Sequence, residues 1–238
     1  MVQAKRSPIA RFLSLLFRGL LWYLALTFAL VLIYRFVPVP TTLTMLFDSN
    51  GAERDWEPLS RLSPNLVRAV IAAEDAKFCQ HSGFDTEAIE KAIQRNQRGG
   101  RMRGGSTISQ QTAKNVFLWP GRTFLRKGLE AWFTLLVEGL WGKQRILEVY
   151  LNIAETGKGR FGVEATAQAC LKRSAAKLTP SQCALIAAVL PAPRRYNACR
   201  PSPYVKRRQA WIQRQMRQLG NQLDPLERER MQQLKARP

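Results

Sequence analysis

Between Gly19 and Tyr34 the chain runs GLLWYLALTFALVLIY without a single charge. As a helix this run is about 24 Å long, short of a hydrocarbon core of about 30 Å. Phe12 to Phe17 extends the apolar stretch, and Arg18 and Arg35 have stems long enough to reach an interface. The pattern predicts a membrane-spanning helix over residues 13–36. Lys5, Arg6, Arg11 and Arg18 lie on its N-terminal side, and no acidic residue occurs before Asp48. The positive-inside rule then places residues 1–12 in the cytoplasm and the chain from about Pro38 outside it. A cleaved signal peptide is the competing reading. No small-residue cleavage site follows Tyr34, where the chain continues RFVPVP, so an uncleaved anchor is expected.

The 238 residues leave room for one ordinary domain beyond the anchor. Lys+Arg 37 against Asp+Glu 17 gives a net charge of +20, a surplus that calls for an anionic partner. Nucleic acid, an anionic membrane and a phosphorylated substrate would each serve. The expected topology removes nucleic acid, since it puts the basic domain outside the cytoplasm. The four cysteines, at 79, 170, 183 and 199, show no CxxC spacing and only one histidine, His81, accompanies them, which argues against zinc. One or two disulfides are compatible with an extracytoplasmic domain, with the pairing left open.

The domain is organised around Ala73-Glu-Asp-Ala-Lys-Phe-Cys-Gln-His-Ser-Gly-Phe-Asp85. The run before it reads as an amphipathic helix, with Ser63 as N-cap and Pro64 at the first helical position. Val67, Val70 and Ile71 line one face, and Glu74 continues that face at i+7, i+4 and i+3. A carboxylate there is expensive to ionise, and a raised pKa suits a general acid or base. The alternative is a helix that surfaces at Glu74 and ends. Asp85 reads as the N-cap of a helix over Thr86–Asn96.

Further on, Gln97 to Gly105 (QRGGRMRGG) reads as a mobile basic loop, and Ser106 or Thr107 can cap the helix that follows. A glycine-rich turn feeding a helix N-terminus presents free backbone N–H groups to an anion. Thr107, Gln110, Gln111 and Lys114 share one face of that helix. The Walker pattern is absent. Arg122 opens a long helix in which Arg126 and Lys127 stand four and three residues before Glu130: an ordinary helical ion pair, or a second carboxylate held by cations beside an anionic substrate. Gly142 breaks this helix, and Lys143–Ile153 resumes with Glu148 as a structural partner. Thr41–Phe47 alternates weakly, as a short strand or extended stalk. Gly157, Gly159 and Gly162 mark a turn, Ala165–Leu171 a small-residue helix, and Thr179-Pro-Ser-Gln182 a capping box before a buried helix. Ser202-Pro203 starts a last, basic amphipathic helix. Periodicity near 3.6 dominates, so the soluble part is mainly α.

Four stretches then resemble, in order and spacing, the successive motifs of the peptidoglycan glycosyltransferases, the family also found as the N-terminal domain of bifunctional penicillin-binding proteins. They are Glu74-Asp75-x-x-Phe78-x-x-His81-x-Gly83-Phe84-Asp85, Gly104-Gly105-Ser106-Thr107-Ile108-Ser109-Gln110-Gln111-x-x-Lys114-Asn115, Arg126-Lys127-x-x-Glu130 and Lys143-x-x-Ile146-Leu147-Glu148-x-Tyr150-Leu151-Asn152. The resemblance covers about residues 57–220, and with no transpeptidase domain following it is to the monofunctional members. It implies a lysozyme-like α fold for 57–220, after a linker over 37–56 and before a flexible tail over 221–238. It implies an inverting reaction on lipid II and the nascent glycan strand, with undecaprenyl pyrophosphate leaving. Glu74 would be the general base on the acceptor hydroxyl. Glu130 would assist the leaving group, directly or through a divalent cation (magnesium or manganese), although the sequence requires no cofactor. Lys114, Arg122 and Arg126 would offset pyrophosphate charge, with Ser106, Gln110, Gln111 and Asn115 on the substrate-contacting helix. Asp75 would orient the site, with Phe78 in the same motif, and the loop 97–105 would be a flap. The location implied is the inner membrane with a periplasmic domain, in contact with membrane lipid and with other cell-wall synthesis or division proteins. A muramidase or lytic transglycosylase shares the fold but has no need of cations around a leaving group, and a basic membrane scaffold would have no need of Glu74.

Overall fold

The computed structural model describes residues 7–97, 105–121 and 123–219. Most of the expected flap, Arg122, the first residues of the expected cytoplasmic segment and the expected tail lie outside the described residues. The chain divides into two units at Val37.

The first unit is a helix, α1 (Pro8–Phe36), longer than the uncharged run because Ser7 caps it, accepting from Ala10 N–H at 3.2 Å, and Pro8 sits at the first helical position. Its 29 residues span about 43 Å. Among the described residues it is the one helix long and apolar enough to cross a membrane. Its flanks are exposed, with Leu15, Trp22 and Leu26 all more than 60% accessible.

The second unit begins at Pro38. Thr41–Phe47 is neither strand nor stalk. It forms a helical turn, α2 (Leu43–Leu46), because Thr42 accepts from Met45 N–H at 3.2 Å and no strand partners the weak alternation. β1 (Glu53–Arg54) follows. The segment expected as a linker over 37–56 is folded into the domain. Arg54 donates to the carbonyls of Val39 (2.7 Å) and Pro40 (2.6 Å), and β1 pairs with a strand more than a hundred residues later. A short 3-10 turn (Leu59–Arg61) leads to α3 (Pro64–Glu74). Ser63 occupies the N-cap position, but its side chain makes no capping bond and turns to the thiol of Cys183 instead. Leu66, Ala69, Val70 and Ile71 are fully buried.

α4 (Thr86–Gln97) starts at Asp85, whose Oδ1 accepts from Ala88 N–H at 2.9 Å. α5 (Ile108–Phe117) carries a reciprocal capping box. Thr107 Oγ1 accepts from Gln110 N–H (3.2 Å) and Gln110 Oε1 accepts from Thr107 N–H (3.0 Å). α6 (Phe124–Leu140) is capped by Thr123, and α7 (Lys143–Ile153) starts at Gly142. α5 packs against both. Asn152 clamps the chain entering the domain. Its Oδ1 accepts from Glu57 N–H and its Nδ2 donates to Glu57 O, both at 2.8 Å, while Glu148 accepts from Leu59 N–H at 2.8 Å.

β2 (Glu155–Gly157) and β3 (Arg160–Phe161) form the expected turn as an antiparallel hairpin. β1 joins β3 in parallel, giving a three-stranded sheet of order β1-β3-β2. Glycine is required at Gly162: φ is +82° and a Cβ would stand 2.9 Å from Asn152 O. The small-residue helix is a single α turn, α8 (Val163–Thr166), continued by a π turn (Ala167–Leu171) that ends at Lys172 with φ 54°. α9 (Pro180–Val189) opens with the Thr179/Gln182 capping box and is buried from Cys183 to Val189. α10 (Pro203–Gln218), capped by Ser202, packs against α9 and α3. Cys170 at the π turn and Cys199 before α10 are joined by a disulfide, in which Cys79 and Cys183 take no part.

Candidate active site

Glu74 ends α3, where the apolar face meets a cleft. Its side chain is 11% exposed. Burial lifts its pKa to about 6, resisted by hydrogen bonding from Gln111 and by the charges of Arg208 and Lys114, and reinforced by Asp75. The negative end of the α3 dipole also acts against ionisation. Gln111, on α5, donates from Nε2 to Glu74 Oε2 at 3.2 Å, and the buried hydroxyl of Tyr150 on α7 donates to Gln111 Oε1 at 3.3 Å. Arg208 on α10 brings Nη2 to 3.6 Å from Glu74 Oε1 and donates to Ala73 O at 3.4 Å. Glu74 Oε1 and Arg208 Nε are buried without hydrogen-bond partners among the described residues.

The neighbouring carboxylate does a different job. Asp75 is 7% exposed and accepts from Ile108 N–H at 2.9 Å, satisfying a free donor in the first turn of α5. Its other contact is His81 Nε2, at 2.9 Å from Oδ1. Because Gly83 N–H donates to His81 Nδ1 at 3.1 Å, the ring proton sits on Nε2 and is given to Asp75. Thr107 Oγ1 closes the loop by donating to Gly83 O at 2.6 Å. Asp75 thus fixes the end of α3 to the start of α5, and so sets Glu74 against Gln111.

The cation cluster lies one turn further along. Glu130 is 3% exposed. Its Oε2 accepts from Arg126 Nη1 at 3.0 Å and its Oε1 from Lys127. Lys114 connects this cluster to Glu74. Burial lowers its pKa first, Glu130 and Glu74 oppose that, and Arg126 and Lys127 add to it. Among the described residues its ammonium has no hydrogen-bond partner, so it is available to an anion.

Two cavities adjoin. The larger, of about 870 Å³, is lined by Glu74, Gln111, Lys114 and Asn115 from one side and by Tyr204 and Arg208 from the other. The smaller, of about 300 Å³, is lined by Asp75, Lys77, Asp85 and Lys91 among others. Glu74 and Ser106 line both. Of the residues singled out in the sequence, Glu74, Ser106, Gln111, Lys114 and Asn115 therefore meet at one cleft. Phe78, Gln110, Arg126 and Glu130 line neither cavity. Phe78 is fully buried beneath the ammonium of Lys143, 4.6 Å from its ring centroid, and Gln110 gives its amide oxygen to the capping box. Three cleft residues went unrecognised in the sequence. Arg208 is one of several cations on a basic helix, and no local signal marks which of them turns inward. Tyr150 belongs to the fourth matched motif, and nothing local marks it as a residue of the cleft. Glu155 follows α7, and its pKa is raised by burial.

A divalent cation does not fit at Glu130. Both its oxygens are held by cations, Lys114 adds a third, and among the described residues no group of three His, Cys, Asp or Glu could hold a metal.

A buried carboxylate poised near neutrality, on the wall shared by a cavity lined with Lys114 and Arg208 and a second cavity, can exchange a proton beside a bound anion. A family model for transglycosylases matches residues 41–217. Proteins described as biosynthetic peptidoglycan transglycosylases are similar along most of the chain. That of Pseudomonas syringae pv. syringae is 53% identical over 212 residues, 85% of this chain and 90% of its own. The Pseudomonas aeruginosa protein is 52% identical over 214 residues (86% and 92%) and the Caulobacter vibrioides protein 51% over 208 (84% and 91%). The chain belongs to the transglycosylase family and is a peptidoglycan transglycosylase, a glycosyltransferase with a mainly α, lysozyme-like domain.

Proposed function

We propose that the enzyme polymerises lipid II into glycan strands with release of undecaprenyl pyrophosphate, and that Glu74 is the general base. Glu74 takes the proton of an acceptor sugar hydroxyl. The hydroxyl oxygen bonds to the anomeric carbon of the growing strand as the bond from that carbon to the diphosphate breaks, with inversion. The observation that carries this reading is the placement of Glu74 on the wall shared by the two cavities, with a pKa lifted to about 6. The larger cavity, with Lys114 and Arg208, suits the anionic donor. The smaller suits the acceptor sugar. Glu130 acts at one remove: it holds Arg126 and Lys127 in place, and together they set the charge felt by Lys114. Arg122 is assigned to the same diphosphate cluster on its motif position alone.

α1 serves as a single-pass anchor, with the N-terminus in the cytoplasm and the domain from Pro38 outside. The basic N-terminal flank supports this orientation, and so does the Cys170–Cys199 disulfide, since such bonds persist in oxidising compartments. The exposed Phe124 and Leu125 suit a domain working at a lipid surface, where a lipid-linked substrate shares its plane. Contacts with other cell-wall synthesis or division proteins are expected from that location. Labelled lipid II in detergent is the test. Wild type should form polymer and folded Glu74→Gln should not. Undiminished polymer from the variant, or cleavage of finished peptidoglycan by wild type, would overturn the proposal.

A further inference from the structure

We propose that Tyr150 is a positioning residue for the base, acting through Gln111 to keep the amide N–H turned toward Glu74, an orientation that favours its ionised form. The proposal rests on the assignment of Glu74 as base. Tyr150 is 1% exposed, and a buried phenol needs a hydrogen-bond partner. It finds one in Gln111 Oε1 at 3.3 Å. With its oxygen committed to an O–H donor, the amide has only Nε2–H to offer Glu74 Oε2, at 3.2 Å. Turned around, the same amide would face the carboxylate with its carbonyl oxygen, repelling the ionised form and accepting from the protonated one. The hydroxyl of Tyr150 therefore selects which protonation state of Glu74 the site favours.

The groups that act on Glu74 come from several elements. Asp75 lies on its own chain, Gln111 and Lys114 come from α5, Tyr150 from α7 and Arg208 from α10. Asp75 opposes ionisation. Lys114, Arg208 and the Gln111 amide favour it. Of these, the amide alone can reverse its sign by rotation, and the flip would leave the buried O–H of Tyr150 without its acceptor. The apolar burial of Tyr150 also keeps its own pKa well above the ordinary value, so it remains a donor throughout the working range.

The experiment is a pH–rate profile of lipid II polymerisation by the full-length protein in detergent, for wild type, Tyr150→Phe, Gln111→Leu and the double variant. In Tyr150→Phe the acidic limb should move up by about one pH unit, so that kcat near pH 6 falls about fivefold while kcat above pH 8 and KM stay within about threefold. The double variant should be no worse than Gln111→Leu, because the phenol acts through the amide. A Tyr150→Phe profile that superimposes on wild type after scaling for active enzyme would overturn the proposal, as would full additivity in the double variant. Infrared titration of the Glu74 carboxyl, isolated by subtraction of Glu74→Gln, needs no substrate. It should show the same upward shift in both Tyr150→Phe and Gln111→Leu, and an unmoved titration in either overturns the inference. If the titration shifts while wild type makes no polymer, the positioning role stands and the assignment of the reaction falls.

Discussion

Replacing Glu74 by Gln should make the protein more stable and less active at once, with a stability gain that depends on pH. In the folded chain the carboxyl is shifted from 4.5 to about 6. A difference of about 1.5 units corresponds to about 2 kcal/mol, at 1.36 kcal/mol per unit. The folded state binds the proton more tightly than the unfolded chain, so stability is greatest below about pH 4.5 and falls as pH rises through about 6. Above that, wild type carries the whole penalty of a buried, ionised carboxylate. Gln has nearly the shape of the protonated acid and cannot ionise. The stability gap between Glu74→Gln and wild type should be near zero at pH 4 and open to about 2 kcal/mol by pH 7.5, equivalent to about 4–8 °C in Tm. Paired thermal unfolding curves of the full-length proteins in one detergent, taken at half-unit steps of pH, measure this directly. Polymerisation should drop by a factor on the order of 10² to 10⁴, the usual worth of a positioned base. A gap that does not change with pH, or one that closes as pH rises, would refute the account of Glu74 as a desolvated acid.

Other perturbations follow from the same contacts. Glu130→Gln leaves Arg126 buried beside Lys127 without its counter-charge, so we expect a loss of about 3 kcal/mol in urea unfolding, with a smaller effect on kcat per folded molecule than Glu74→Gln has. Gly162→Ala puts a Cβ 2.9 Å from Asn152 O at a positive φ, and Tm should fall by at least about 4 °C relative to wild type. Reducing the Cys170–Cys199 bond, or replacing both residues by Ser, opens a loop with a sequence separation of 29. The loss should be about 3–4 kcal/mol in chemical unfolding, and Cys183→Ala should not reproduce it.

The helices were legible where a cap and a 3.6-residue pattern agreed. Thr107 and Thr179 announce α5 and α9 through Gln three residues on, and Pro64 and Pro203 mark first positions that the chain then uses. The sheet was not legible. Its strands are two or three residues long, and β1 pairs with a partner far away in the chain, so no local periodicity could reveal it. α2 was missed for a related reason: weak alternation decides nothing unless a partner strand exists, and a threonine cap settled the matter locally. At the site, the apolar stripe ending in Glu74 left two readings open, and the structure has the buried one, with the pKa raised as burial demands. Motif membership did not separate cleft residues from supporting ones. Phe78 and Gln110 belong to the same short stretches as Glu74 and Gln111, yet one fills the core and the other closes a cap. Only the assembled chain shows that a cation more than a hundred residues later, Arg208, completes the surroundings of the base.

The paired carboxylates at 74 and 75 also bear on how an inhibitor must be built. Asp75 has its charge occupied by a backbone N–H and a histidine, so it gives an incoming molecule little to bind. Glu74 keeps one oxygen without a hydrogen bond, beside a guanidinium with an unused N–H. Both atoms are buried, so a compound offering a donor to that oxygen and an acceptor to Arg208 must first part the two side chains, but it displaces nothing that holds α3 to α5. Substitution of Glu74 or Arg208 would break the contact between the two side chains.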